Sequence, residues 1–251
     1  KRVNYLLLKF VKYVLETYKT EINITNLIKH SHKYIEENAL LTEYNDISLF
    51  SHQKKMFDLI HKNKDPKLLL YQAPTGTGKT MTPVGLVNEK ILIFTCAAKH
   101  VGLQLAKSCI ALEIPIAIAF GCETPDDIRL HYYAVTDFVR NRKSGGIFRV
   151  DNSNGEKVKI IITDIQSYLP AMNYMLAFNK KEDILWYWDE PTITLDYNEH
   201  SFHSIMKKNW TQNEIPNIVL SSATLPSSDE IFPMVANFKQ RFKGEQYNIA
   251  S

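Results

Sequence analysis

The chain has 251 residues, 45% of them apolar and 23% charged, with a formal charge of +3. Such a composition belongs to a soluble globular protein with room for one large domain or two small ones, and so slight a positive charge neither marks nor excludes a nucleic-acid partner. The three cysteines, Cys96, Cys109 and Cys122, make no CxxC spacing and leave an odd thiol. That argues against a disulfide framework, favours a reducing, intracellular compartment, and supplies too few ligands for a zinc or iron–sulfur centre.

From the N-terminus, Tyr5, Leu8, Val11, Leu15 and Tyr18 recur at helical spacing, and Ile24, Leu27, Ile28, Tyr34 and Ile35 do so again. Residues 1–45 are therefore expected to form a helical extension whose apolar face packs on the following domain. Lys9 and Lys12 interrupt YLLLKFVKYVL before it can act as a signal sequence. No apolar run reaches the roughly 20 residues needed to span a bilayer, so no membrane association is expected. Residue 1 is not Met, which suggests a fragment or a processed product.

From about residue 46 the pattern changes to short apolar runs separated by helix-length segments: KLLLYQ, KILIFT, PIAIAF, KVKIIIT, DILWYW and NIVLSS. Runs that are apolar on both faces predict an α/β domain with a mostly parallel sheet flanked by helices. The DNSNG segment predicts a hairpin that joins GGIFRV to KVKIIIT. Residues 229–251 are expected to form a C-terminal helix, with GEQYNIAS beginning a connection.

KLLLYQ runs directly into APTGTGKT, residues 73–80, which fits the phosphate-binding pattern GxxxxGK[ST] with Ala73 at the first glycine position. Backbone amides over Ala73, Pro74, Thr75, Gly76, Thr77 and Gly78 would cradle phosphate, Gly76 and Gly78 supplying the turn. Lys79 would reach the β- and γ-phosphates of ATP, and the Thr80 hydroxyl would hold Mg²⁺. Pro83 follows closely and is cheap only within the first turns of the next helix. The pair Asp189 and Glu190 ends the apolar run ILWYW. These carboxylates fit a metal-binding acid and a base that polarises the attacking water, in that order. Pro191 is expected to keep Glu190 extended.

A third element narrows the class. Ser222, Ala223 and Thr224 in NIVLSSATLP, following the DEPT box, resemble motif III of superfamily 2 (DExx-box) helicases, and the order and separations resemble the first RecA-like motor domain of that family. AAKHVGLQ resembles motif Ia, TDIQSY lies where motif Ib would, and LFSHQ is similar to the segment whose Gln contacts adenine, with Phe50 in place of Arg. The resemblance covers residues 46–228. It implies an ATP-dependent helicase or translocase, with Gln53 at the base, Thr192, Ser222, Ala223 and Thr224 coupling ATP to motion, and Lys99, Gln104 and Thr163 on the sugar-phosphate backbone of RNA or DNA. Thr192 departs from the Asp or His of the familiar box. The second RecA-like domain, with its arginine-finger motif, is not within these residues, so the resemblance implies weak hydrolysis by this piece alone. The Lys, Ile, Asn and Tyr richness and the DEPT box resemble helicases of large DNA viruses, which implies host cytoplasm or virion. Another P-loop enzyme such as a nucleotide kinase, or a non-catalytic nucleic-acid-binding module, are the alternatives; a kinase would want an Arg-rich lid, and a scaffold has no need of Lys79, Thr80, Asp189 and Glu190.

Overall fold

The computed structural model describes residues 5–18, 25, 30, 50–62, 65–74, 76–136, 138–140, 147–150, 153–227 and 229–250. It divides into two compact units, Lys1–Leu49 and Phe50–Ser251. In the first, helix α1 runs over Tyr5–Thr17. The second helical stretch expected there, Ile24 to Ile35, lies outside the described residues except for Thr25 and His30.

The second unit opens with α2 (Ser51–Lys62) and β1 (Lys67–Gln72). A short 3-10 turn, Lys79–Met81, then leads into α3 (Thr82–Leu86). Pro83 falls at the start of α3, where a missing N–H costs little. There follow β2 (Ile91–Cys96), α4 (Lys99–Ala111), β3 (Ile116–Ala119) and β4 (Arg129–Leu130). The next elements are β5 (Phe138–Arg140), β6 (Ile147–Val150), β7 (Ile160–Asp164) and α5 (Tyr168–Leu176). The chain continues through β8 (Ile184–Asp189), α6 (Ser201–Gln212), β9 (Asn217–Ser222), α7 (Phe232–Phe242) and β10 (Glu245–Ala250).

Eight of the described strands form one sheet in the order β10-β1-β9-β8-β2-β7-β3-β4. Every pairing in it is parallel except β3 with β4. The apolar runs read from the sequence are its six inner strands, and their alternate residues feed two cores. Leu68, Leu70, Ile93, Ile161, Trp186, Trp188 and Leu220 face α5, α6 and α7, sharing one core with Met172, Trp210 and Phe238. Leu69, Tyr71, Phe94, Ile162, Tyr187 and Val219 turn to the other side, against Met56 of α2 and Leu105 of α4. Burial on both faces explains why these strands lack polar alternation.

Two expectations are corrected. IFRV does not pair with KVKIIIT across the DNSNG turn; β6 pairs antiparallel with β5 in a separate two-stranded ribbon. Both edges of β7 are already taken, by β2 and β3, so no edge is left for β6. The tail GEQYNIAS is also more than a connection. Residues Glu245–Ala250 add to β1 as a parallel edge strand. Lys243 caps α7 in the left-handed conformation (φ 55°), and Gly244 then passes so close to Pro66 that a Cβ would stand 2.3 Å from its carbonyl oxygen.

Candidate active site

Three parallel strands end side by side. Gln72 of β1 lies opposite Ser222 of β9, and Asp189 of β8 lies opposite Ser221, so the segments that follow each strand meet at one edge of the sheet. In open α/β sheets, ligands bind at this carboxyl edge. The ladder runs a step further, with the Ala73 N–H donating to Ser222 O and the Glu190 N–H donating to Ser221 O at 2.7 Å. Ala73 is still strand-like and buried, which explains why a glycine is dispensable there. The positive backbone angles fall where the sequence has glycine, at Gly76 (φ 84°) and Gly78 (φ 75°). Thr75, and the side chain of Thr80, lie outside the described residues.

Within this loop the Thr77 hydroxyl donates to Pro74 O at 2.7 Å. Gln53 braces it from α2: its amide donates to Thr77 O and to the Thr82 hydroxyl, while its oxygen accepts the Phe50 N–H. Gln53 is buried, and a Cβ at Gly78 would press against its amide at 3.2 Å. In this arrangement Gln53 is a prop of the loop. From below, the Tyr187 hydroxyl donates to Lys79 O at 3.0 Å.

Lys79 is only 8% exposed, and its ammonium pairs with Glu190 Oε1 at 3.1 Å. The other carboxylate oxygen, Oε2, accepts the Ser222 hydroxyl at 2.5 Å. Ser222 Oγ in turn lies 3.1 Å from the Thr192 hydroxyl and accepts the Thr224 N–H. Lys79, Glu190, Ser222 and Thr192 thus form one continuous polar chain from the loop after β1 to the segments after β8 and β9. Thr192 meets Ser222 through its hydroxyl. Gln72 adds a tie to the same segment by donating to Ala223 O.

Glu190 itself is not extended. Its φ is 51°, in the left-handed region, and Thr194 four residues on has φ 72°. Pro191 disfavours the right-handed helical region for the residue before it, but that leaves the left-handed one open. The Glu190 N–H stays in the ladder while both carboxylate oxygens are held, so tertiary contacts outweigh the local cost of about 1–3 kcal/mol.

Asp189 is 6% exposed, and its Oδ1 is buried without a hydrogen-bond partner. Burial first, and the adjacent Glu190 second, push its carboxyl up to about 6, against the pull of Lys79. An orphaned buried carboxylate oxygen at the carboxyl edge of the sheet fits a cation site. Mg²⁺ takes one or two carboxylates plus substrate phosphates and water, so no larger cluster of acids is required.

A second set of residues gathers beyond β2. Lys99 opens α4, is largely exposed, and its ammonium lies 3.6 Å from Asp164 Oδ2 and over the Phe120 ring. Asp164, which sequence reasoning passed over, organises this corner. It accepts the Gly121 N–H and the Ser167 N–H at 2.9 Å each, and Ser167 Oγ accepts the Cys122 N–H. The available signal was its position at the end of the IIIT run, the counterpart of Asp189. Gln104 is exposed further along α4. Thr163 does not join this surface. It is fully buried, and its hydroxyl donates to Asp164 O, because it sits at the inner end of a strand paired on both sides.

No protein-family model matches the chain, and no curated protein matches it. Solved structures do. The chain is similar to a hypothetical ATP-dependent RNA helicase from Sulfolobus tokodaii, with a TM-score of 0.51 and 14% identity over 83% of this chain and 54% of that one. A DEAD box protein from Methanococcus jannaschii gives 0.48 and 18% over 82% and 55%. The Pyrococcus furiosus Hef helicase domain gives 0.45 and 16% over 83% and 39%. The chain spans about half the length of the first two. At such identities the likeness establishes the fold, an α/β domain like the RecA-like domains of helicases. No helix among the described residues is long and apolar enough to cross a membrane.

Proposed function

We propose that the chain is the ATP-binding motor domain of a superfamily 2 helicase or translocase, which hydrolyses ATP to move along or unwind RNA or DNA. The observation that carries the reading is the Lys79–Glu190–Ser222–Thr192 chain, which ties a phosphate-binding loop to a serine on the neighbouring strand end. A nucleotide kinase has no use for that tie. A scaffold would need neither the buried lysine nor the orphaned Asp189.

Each residue has a task in this reading. Gly76 and Gly78 shape the loop whose amides hold the phosphates, and Gln53 fixes the loop and faces the base. Lys79 exchanges Glu190 for the β- and γ-phosphates, which frees Glu190 Oε1 while Ser222 keeps hold of Oε2. Glu190 then accepts a proton from the water whose oxygen attacks the γ-phosphorus, and the bond to the β,γ-bridging oxygen breaks to give ADP and phosphate. Asp189 and the Thr80 hydroxyl would hold Mg²⁺, which when bound neutralises charge on the phosphate oxygens. Release of Glu190 by Lys79 changes the demand on Ser222, and through its hydroxyl on Thr192 and Thr224. Lys99 and Gln104 take the sugar-phosphate backbone without reading bases, with Asp164 fixing Lys99.

The family resemblance assigns the transition-state arginine to a second RecA-like domain, which is the partner this reading requires in cis. With that domain present, wild type shows ATPase activity stimulated by RNA or DNA, and Glu190→Gln binds ATP without turning it over. Normal stimulated turnover in Glu190→Gln removes the base assignment.

A further inference from the structure

Between α6, α7 and the ends of β8 and β9 lies a pocket of about 470 Å³, within the size range of small-molecule sites. Its walls are chiefly Trp188, Trp210, Leu220, Leu225, Met206 and Met234. Pro191 and Thr192, next to Glu190, and Pro226, just past the SSAT segment, border it as well. It stands behind the polar chain of the active site and shares two of that site's segments.

Most of the polar groups around it are already committed. Trp210 Nε1 donates to Asn237 Oδ1, the Thr211 hydroxyl donates to Lys207 O, and Thr192 is engaged with Ser222. The Trp188 indole N–H has no partner but is buried within the wall. Lys207 brings the one charged side chain of the lining and keeps it exposed. A peptide strand entering here would leave its own N–H and C=O groups unpaired, at a cost of roughly 1–3 kcal/mol each. An uncharged apolar molecule loses nothing by entering and gains contact with two indole rings and two flexible thioethers.

We propose that this pocket binds a small, uncharged, largely apolar molecule, and that filling it weakens nucleotide binding. A molecule lodged between Pro191, Thr192, Leu225 and Pro226 fixes the segments after β8 and β9 in the arrangement seen here. In that arrangement Ser222 holds Glu190, and Glu190 holds the Lys79 ammonium that the nucleotide reading requires for phosphate. The coupling is reciprocal, so nucleotide lowers the affinity of the pocket for its ligand by the same factor. The coupling rests on the nucleotide reading above, whereas the pocket does not.

The protein carries its own reporter. Trp186, Trp188 and Trp210 are its three tryptophans; Trp186 stacks on Trp188 at 4.9 Å and lies 6.4 Å from Trp210. The uncharged naphthalene ketone prodan, titrated into the 251-residue chain without nucleotide, is expected to give saturable energy transfer from tryptophan and blue-shifted emission. The anionic dye dimethylaminonaphthalene sulfonate is expected to bind at least tenfold more weakly, because its charge would leave water for an apolar wall whose charged neighbour, Lys207, stays solvated at the rim. Met206→Phe with Met234→Phe, which narrows the pocket, is expected to cost prodan at least tenfold in affinity, whereas Leu112→Phe just past α4 leaves it unchanged. Absence of saturable transfer in wild type, or equal affinity for the two dyes, overturns the pocket even if the double variant does not fold. Unchanged prodan affinity in a folded double variant does so too. Saturating prodan should then raise the Kd for ATP severalfold, and an unchanged Kd overturns the coupling. A chain that binds prodan but no ATP overturns the nucleotide reading, and the coupling with it, while the pocket stands.

Discussion

The Asp189 carboxyl is pushed up to about 6, from 3.8, by its burial at the end of β8 and by the neighbouring Glu190. Between those values the folded protein holds a proton that the unfolded chain has given up, so stability falls as pH rises from about 4 to about 6. The whole step is roughly 3 kcal/mol. Asp189→Asn should flatten that limb of a urea-unfolding pH series and leave the protein more stable at pH 7 than wild type. An unaltered limb would show that another group titrates there. Metal-dependent nucleotide binding should run the opposite way, weakening as pH drops below about 6, because a cation must displace the proton. Thr192→Val deletes the hydroxyl beside Ser222. With the second domain present, it is expected to leave the KM for ATP near wild type and to lower nucleic-acid-stimulated kcat up to about tenfold, the worth of one part-buried hydrogen bond. A fall in ATP affinity with kcat unchanged would place Thr192 in the pocket for nucleotide instead. Residue types at fixed spacing singled out Lys79, Asp189 and Glu190 in the sequence, and Lys79 and Glu190 do pair across the two segments. The left-handed φ of Glu190 was not legible there, since it is imposed by Lys79 and Ser222, which reach it from distant parts of the chain. Asp164 was missed although it ends β7 inside TDIQSY, because its partners, the Gly121 and Ser167 amides, are set by the fold rather than by a local pattern.

Among elements, the six inner strands were readable because burial on both faces writes continuous apolar runs, and the loop after β1 because two positive-φ positions require glycine. The edge elements were not. EQYNIA buries only Ile249 and looks like polar connection; it becomes β10 because Lys243 and Gly244 turn α7 back onto the edge of β1. The partner of β6 was likewise invisible locally, being fixed by the sheet's own use of both β7 edges. Gly244 is where this can be tested. A methyl there would collide with the Pro66 carbonyl, so Gly244→Ala should destabilise the domain by roughly 1–3 kcal/mol through overpacking. It should also speed amide exchange in β10 ahead of β1. Uniform exchange and an unchanged denaturation midpoint would mean that the edge strand is held by something other than this turn.

At the scale of the whole molecule, the formal charge of +3 leaves nucleic-acid affinity to placement rather than to bulk charge. If Lys99 and its neighbours hold phosphates, affinity for RNA or DNA falls steeply with salt. Lys99→Ala should then weaken binding to all sequences alike and reduce the salt slope by about one. A sequence-dependent loss would contradict backbone-only contact. The proposed nucleotide site at the carboxyl edge draws on the α/β fold, the meeting of three strand ends and the polar chain linking them, and it has a direct test. Equilibrium binding of a fluorescent ATP analogue with Mg²⁺ should be saturable in the wild-type 251-residue chain and in Glu190→Gln, and lost in Lys79→Ala when the circular dichroism of that variant matches wild type. Retained binding in a folded Lys79→Ala, or no binding in wild type, contradicts the account.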